Sequence, residues 1–320
     1  MMDTPHSLAG MLAALWRFTV SNRKVSIGIA VVALFVLVAI FGPLLVRQDP
    51  TAFTDDLLQP PSTAHWLGTT QNGQDVFAQL IDGTRVSVAL GFIVGILTTA
   101  VSVIVGVVSG YFGGAIDEVC SLITNVFLVL PTLPLAILLA AFLPYKGPLT
   151  LGIVIGVTGW SWGARVMRSQ TLSMRGRDFV EAAQARGETP FRIIFFEILP
   201  NEIALVAAEL LGTVIYCILA EAGLEFIGLG DLSSVSWGTM FFFAQNTDAL
   251  LLGAWWWFLP PGICIAVLGA ALALVNFGID EIANPRLRAE RGRKPSLLKQ
   301  ALGVPVAQRT FEDQFQEEVV

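Results

Sequence analysis

Six apolar runs dominate the chain, at residues 25–46, 86–110, 119–143, 149–166, 203–223 and 254–279. Each is close to the roughly 20 residues that a helix needs to cross a bilayer. Pro131 and Pro134 fall inside the third run and predict a kink there. The third and fourth runs are separated only by Pro144-Tyr145-Lys146-Gly147-Pro148, a turn-forming break. The pattern divides the chain into an N-terminal segment (1–24), a first transmembrane helix (25–46), a polar segment (47–85), a five-helix core (86–282) and a tail (283–320). The first run is too long for the apolar part of a signal peptide, and no A-x-A-like site follows it, so a retained span is expected. Residues 8–18 carry apolar side chains at helical spacing, which fits a helix lying on the membrane surface as well as a frayed terminus. The tail is charged and lacks sustained apolar periodicity, so disorder is expected over part of it.

Composition agrees with a polytopic membrane protein. Of the 320 residues 54% are hydrophobic and 14% charged, with a mean hydropathy of +0.70; soluble domains carry about 25% charged residues. Cys120, Cys217 and Cys264 all sit in apolar runs without metal-like spacing and read as small apolar fillers. His6 and His65 have no ligand cluster around them in sequence, which argues against zinc.

Charge placement predicts an orientation, because Lys and Arg accumulate on the cytoplasmic side. Sixteen of the 19 basic residues lie before the first run, between 165 and 192, or after the sixth run; the others are Arg47, Arg85 and Lys146. Both termini and the segment between runs four and five are therefore expected in the cytoplasm. Residues 47–85 and 224–253 are expected outside, with a short inner turn at 111–118.

The polar segment 178–201, DFVEAAQARGETPFRIIFFEILPN, reads as two short helices. Asp178 and Glu181 have the spacing of an N-cap with its capping-box partner, and Gly187 suits a left-handed helix end. Thr189-Pro190 reads as N-cap and first helical residue of a second helix. Leu199-Pro200-Asn201 is expected to break it, with Asn201 capping the next span. The side chains of Glu181, Ala182 and Ala183 would serve capping and helix propensity on a bland reading. On a functional one they form a docking helix whose small alanines let a partner approach the backbone.

Glu209 falls in the middle of the fifth run, where a charge is costly and faces a cavity or a partner. Glu202 lies seven residues earlier on about the same face, and Glu221 and Glu225 lie near the other end. Glu209, Glu221, Trp160 and Trp162 are candidates for contact with a solute. Packing is the plain alternative for the two tryptophans. Trp255 to Trp257 suit an aromatic belt, and Gly152, Gly156 and Gly159 permit close helix packing.

Glu181-Ala182-Ala183, then Gly187, then Ile198-Leu199-Pro200, resembles the EAA loop of bacterial ABC-importer permeases. His65-Trp66-Leu67-Gly68-Thr69, Gly73-Gln74-Asp75-Val76 and Gly83-Thr84-Arg85-Val86-Ser87 are similar to the signature that opens the dipeptide/oligopeptide/nickel permeases of that class. The stretch from Glu221 to Gly230, followed by Ser236-Trp237-Gly238, and the closing Trp256-Trp257, Pro261-Gly262 and Asn284-Pro285-Arg286-Leu287-Arg288 match it as well. The resemblance covers about Arg23 to Arg288 and is best to the second, C-type permease subunit. Thr70, Gln74, Glu197 and Glu225 depart from the family pattern and bear on the substrate more than on the mechanism.

What the resemblance implies is an all-α, six-helix type I ABC permease with a cytoplasmic coupling helix near Glu181 to Gly187. It would pair with a homologous second permease, two cytoplasmic ATP-binding subunits and an extracytoplasmic substrate-binding protein. No cofactor is expected in this chain; ATP and Mg2+ would be bound by the partners, since no G-x-x-x-x-G-K-[ST] loop is present. Membrane lipid is an expected partner and nucleic acid is not. The implied cargo is a di- or oligopeptide, with oligosaccharides such as cello-oligosaccharides as the alternative. An ion-coupled secondary transporter is disfavoured by the lack of a visible inverted repeat, and a membrane enzyme by the lack of a nucleophile–base pair or metal cluster.

Overall fold

The structure, a computed structural model, describes residues 23–46 and 48–283. The 8–18 stretch, most of segment 1–24, Arg47 and the tail from 284 lie outside the described residues. The chain divides into two units, Met1–Asp280 and Glu281–Val320, and of the second only residues 281–283 are described, as helix. The fold is all-helical: α1 Arg23–Leu45, α2 Val76–Phe112, α3 Gly114–Val129, α4 Thr132–Phe142, α5 Pro148–Gly159, α6 Ser161–Arg175, α7 Asp178–Ala185, α8 Pro190–Ile193, a π-helical turn Ile194–Ile198, α9 Leu199–Phe226, α10 Trp237–Asn246 and α11 Trp255–Ala283.

Among the described residues, four helical stretches are long and apolar enough to cross a membrane: Arg23–Leu45, Val76–Phe112, Pro190–Phe226 and Trp255–Ile279. The α3–α4 pair makes a fifth if counted as one span, its halves meeting at 88°. Pro131, in extended conformation before α4, makes the break, so the expected kink is a full corner. The expected fourth span, 149–166, takes another form. Its apolar part ends at Gly159, and after Trp160 the chain restarts as the polar helix α6. Twelve residues of α5 reach about 18 Å, short of a hydrocarbon core of about 30 Å.

The centre of the bundle is α2, and it begins ten residues before the expected start at 86. The Asp75 carboxylate accepts from the Ala78 backbone N–H at 2.8 Å and caps the helix there. Two small-residue pairs at four-residue spacing let neighbours approach its backbone. Gly91 and Gly95 lie against Ile218 and Val214 of α9, where a Cβ at Gly95 would come within 2.6 Å of Val214. Gly106 and Gly110 lie against Ala164, Met167, Arg168 and Thr171 of α6. On α5, Gly152 and Gly156 face Val94 and Thr98 of α2, so the expected close packing is within the chain. Residues 227–254 contain a helix not expected from the sequence, α10, whose Ser236 and Thr239 form a reciprocal capping box.

Candidate functional site

Three places hold the residues singled out by the sequence: the α7–α8 hairpin, a cavity beside the middle of α9, and a buried carboxylate cluster at the C-terminal end of α9.

Helix α7 starts one residue earlier than the capping-box reading allows. The Arg177 carbonyl accepts from Val180 and Glu181, so Arg177 is the N-cap and Asp178 already belongs to the first turn. Asp178 and Glu181 then put two carboxylates at the positive end of the helix dipole. The other end closes as expected. Gly187 has φ +76°; its N–H donates to the Gln184 carbonyl at 2.9 Å, and that of Glu188 to Ala183 at 3.2 Å. Thr189 caps α8, with Pro190 in its first turn.

The expected break at Leu199-Pro200-Asn201 does not occur. The chain runs from α8 through the π turn into α9 as one helical stretch, Pro190–Phe226. The π turn supplies the slack. Leu199 N–H donates five residues back to Ile194, and Pro200, which has no N–H to give, sits in the first turn of α9. Asn201 therefore caps nothing; its side-chain amide donates to the Glu197 carbonyl at 2.6 Å.

Beneath this hairpin lies a core of Val107, Tyr111, Met167, Val180, Ala183, Ile193, Ile194 and Ile198, drawn from α2, α6, α7, α8 and the π turn. Ala183 and Ile198 are thus fully buried in their own chain, while Glu181, Ala182, Gly187 and Pro200 are exposed. Leu199 packs at the edge of that core. Only one of the two alanines is available to a partner. Arg192 pairs with Glu188 at 2.7 Å across the surface and lies over the Phe196 ring.

Beside the middle of α9 a cavity of about 530 Å3 is lined by Thr158, Trp162, Glu209, Thr213, Tyr216, Asn276 and apolar neighbours. Glu209 and Trp162 both line this cavity, Trp162 being exposed. Trp160 does not join them: it is buried against Phe127, and its carbonyl accepts from Ser102 at 2.7 Å.

Glu221 lies apart from that cavity. It is fully buried and lines no cavity with Glu209. Its Oε1 accepts from Ser87 Oγ of α2 at 3.2 Å, and Ser87 Oγ in turn accepts from the Trp237 backbone N–H at 3.2 Å. Glu225, one turn on, accepts from Ser236 Oγ and is hemmed in by Gly230 and Gly238. These carboxylates tie α9 to α2 and α10. Glu202 is likewise buried, accepting from Thr171 of α6 at 3.1 Å.

The loop before α2 is folded onto the same end as Glu221. Asp75 holds His65 Nδ1 at 2.8 Å, the buried Thr69 carbonyl accepts from Trp256 Nε1 at 3.2 Å, and Thr70 bonds within its own loop to Gln74 and Asn72. The hydrogen bond to Asp75 raises the His65 pKa above its ordinary value, against the opposing effect of burial. The departures Thr70 and Gln74 are therefore loop-building residues.

Comparison with known proteins agrees with this architecture. The family described as binding-protein-dependent transport system inner membrane component matches residues 102–289, and the N-terminal TM domain of oligopeptide transport permease C matches residues 11–61. The oligopeptide transport system permease protein OppC of Bacillus subtilis is 35% identical over 280 residues, 86% of this chain and 89% of that one. The dipeptide transport system permease protein DppC of the same organism is 33% identical over 85% of each chain. OppC of Mycobacterium tuberculosis is 32% identical over 86% of this chain and 94% of its own. Among solved structures, an inward-facing MetNI methionine ABC transporter chain superposes with a TM-score of 0.53 at 20% identity, covering 65% of this chain and 95% of that one. The fold is that of a type I ABC permease. The chain belongs to the family of inner-membrane components of binding-protein-dependent transport systems, and is a multi-pass transport subunit of such a complex.

Proposed function

We propose that this chain is one of two permease subunits of an ATP-driven importer of di- and oligopeptides. The observation that carries the reading is the construction of α7: an eight-residue helix seated from below by Val180 and Ala183 that presents Glu181 and Ala182 outward, with Gly187 exposed just past its end. A helix fixed to α2, α6 and the π turn by one apolar core moves with them as a body, so a partner gripping α7 displaces the bundle. Two cytoplasmic ATP-binding subunits, holding ATP and Mg2+, are the proposed drivers, one of them docked on α7. The other proposed partners are a homologous permease and an extracytoplasmic binding protein facing the loop 48–75 and the α10 region. The basic residues around α6–α8 support a cytoplasmic position for that end and for both termini of the proposed subunit. The names of the relatives support peptides as the solute.

The test is ATPase activity of the reconstituted complex with its binding protein loaded by short peptides or by cello-oligosaccharides. Stimulation by peptides is expected. Stimulation by sugars alone would keep the machinery and replace the solute. Uptake that requires an ion gradient and no ATP would overturn the reading.

A further inference from the structure

The cavity beside α9 has one charged side chain in its lining, Glu209, and no cation. That carboxylate is poorly satisfied. It has room for about four hydrogen bonds, and receives one, from Thr213 Oγ1 at 3.4 Å. No Lys or Arg among the described residues forms a salt bridge with it. Gly163 of α6 leaves the space that the carboxylate occupies, and a Cβ there would meet the movable end of the Glu209 side chain. Further acceptor capacity lies in the same lining. Asn276 Oδ1 is buried without a hydrogen-bond partner, and Tyr216 Oη lies beside Thr158 without a hydrogen bond of good geometry. Trp162 adds an aromatic face.

A half-buried carboxylate without a cationic partner among the described residues, with an orphan acceptor and aromatic side chains in the same lining, has the chemistry of a receptor for a primary ammonium group, which brings three N–H donors and one positive charge. A hard divalent ion would require more oxygen ligands than one carboxylate supplies. At about 530 Å3 the cavity is large enough for a small peptide and lies within the usual range for ligand pockets. We propose that the Glu209 cavity binds the amino-terminal ammonium group of the peptide in transit, with Asn276 and Tyr216 as neighbouring polar contacts. This inference rests on the peptide-import reading above.

The experiment uses the complete importer in proteoliposomes, with trialanine and N-acetyl-trialanine as probes. Glu209→Gln is expected to lower uptake of trialanine at least tenfold relative to wild type while leaving any uptake of the acetylated peptide unreduced. Undiminished trialanine uptake by the variant would overturn the proposal. So would an equal fall for both peptides, the result expected if Glu209 serves only to pair with the second permease. Should the wild type refuse the acetylated peptide, Glu209→Asp decides: recovery of uptake by the shorter carboxylate supports the site, and equivalence of Asp and Gln overturns it. A wild-type complex that imports sugars and no peptide would instead refute the peptide reading, and this inference with it.

Discussion

The two ends of the bundle spend their polar groups in opposite ways. At the end where α2 begins and α9 finishes, Asp75, Glu221 and Glu225 are turned inward onto His65, Ser87 and Ser236, and the chain closes on itself. At the other end, α7 leaves Glu181, Ala182 and Gln184 exposed over an apolar base. The first arrangement fixes helices to one another. The second leaves a rigid surface for something else to hold. Of four glutamates on α9, three (Glu202, Glu221 and Glu225) are buried in the chain's own core, where Glu221 Oε2 and Glu225 Oε1 lack a hydrogen-bond partner, and Glu209 opens onto a cavity. Acidic character inside a span therefore marks a joint as readily as a path.

The contrast can be broken at several points. The largest effect is expected from Glu181→Lys, which places a cation at the positive end of α7 and on its exposed face. Transport should fall at least tenfold while the amount of assembled permease stays close to wild type, as measured by uptake and by quantitative membrane blotting. A proportionate loss of the protein itself would show that α7 is structural. Trp237→Ala should cost about 3–5 kcal/mol, because the indole is fully buried between α1, α2 and α10. It should appear as a large drop in the fraction of protein surviving a heat challenge in detergent. Ser236→Ala removes the cap of α10 and the donor to Glu225 together, and should cost about 1–3 kcal/mol in the same assay.

The smallest effect is a pH dependence. His65 has its folded pKa raised above the unfolded value near 6.5, so the stability contributed by its pairing with Asp75 is complete below about pH 6.5 and is lost as pH rises through the folded pKa. His65→Gln should therefore be less stable than wild type in mildly acidic buffer, and the gap in melting temperature should narrow toward alkaline pH. A gap that widens with pH would contradict the assignment.

Local chemistry made much of this legible. The apolar runs located α1, α9 and α11, the proline pair located the α3–α4 corner, and Gly187 with Thr189-Pro190 located the turn between α7 and α8. What misled was local chemistry overruled by distant partners. Ile81-Asp82-Gly83-Thr84-Arg85 looks like loop, yet Asp75 caps a helix that runs through it. Pro200 looks like a helix breaker, yet a π turn takes up its missing donor. Glu209 and Glu221 look alike along the chain; Gly163 on one side, and Ser87 with Trp237 on the other, separate them. One signal was present and unread: the repeated four-residue glycine spacing at Gly91, Gly95, Gly106 and Gly110 marks α2 as the helix that α6 and α9 approach most closely.

The most direct test of a closed end and a presented end is photo-crosslinking in the assembled importer. A benzoylphenylalanine would be placed at Gln184 on α7 or at Gln71 in the loop before α2, both exposed positions. The expected result is capture of an ATP-binding subunit from position 184 and of the binding protein from position 71. Capture of the ATP-binding subunit from position 71, or no capture of it from 184 in an ATP-hydrolysing complex, would contradict the account.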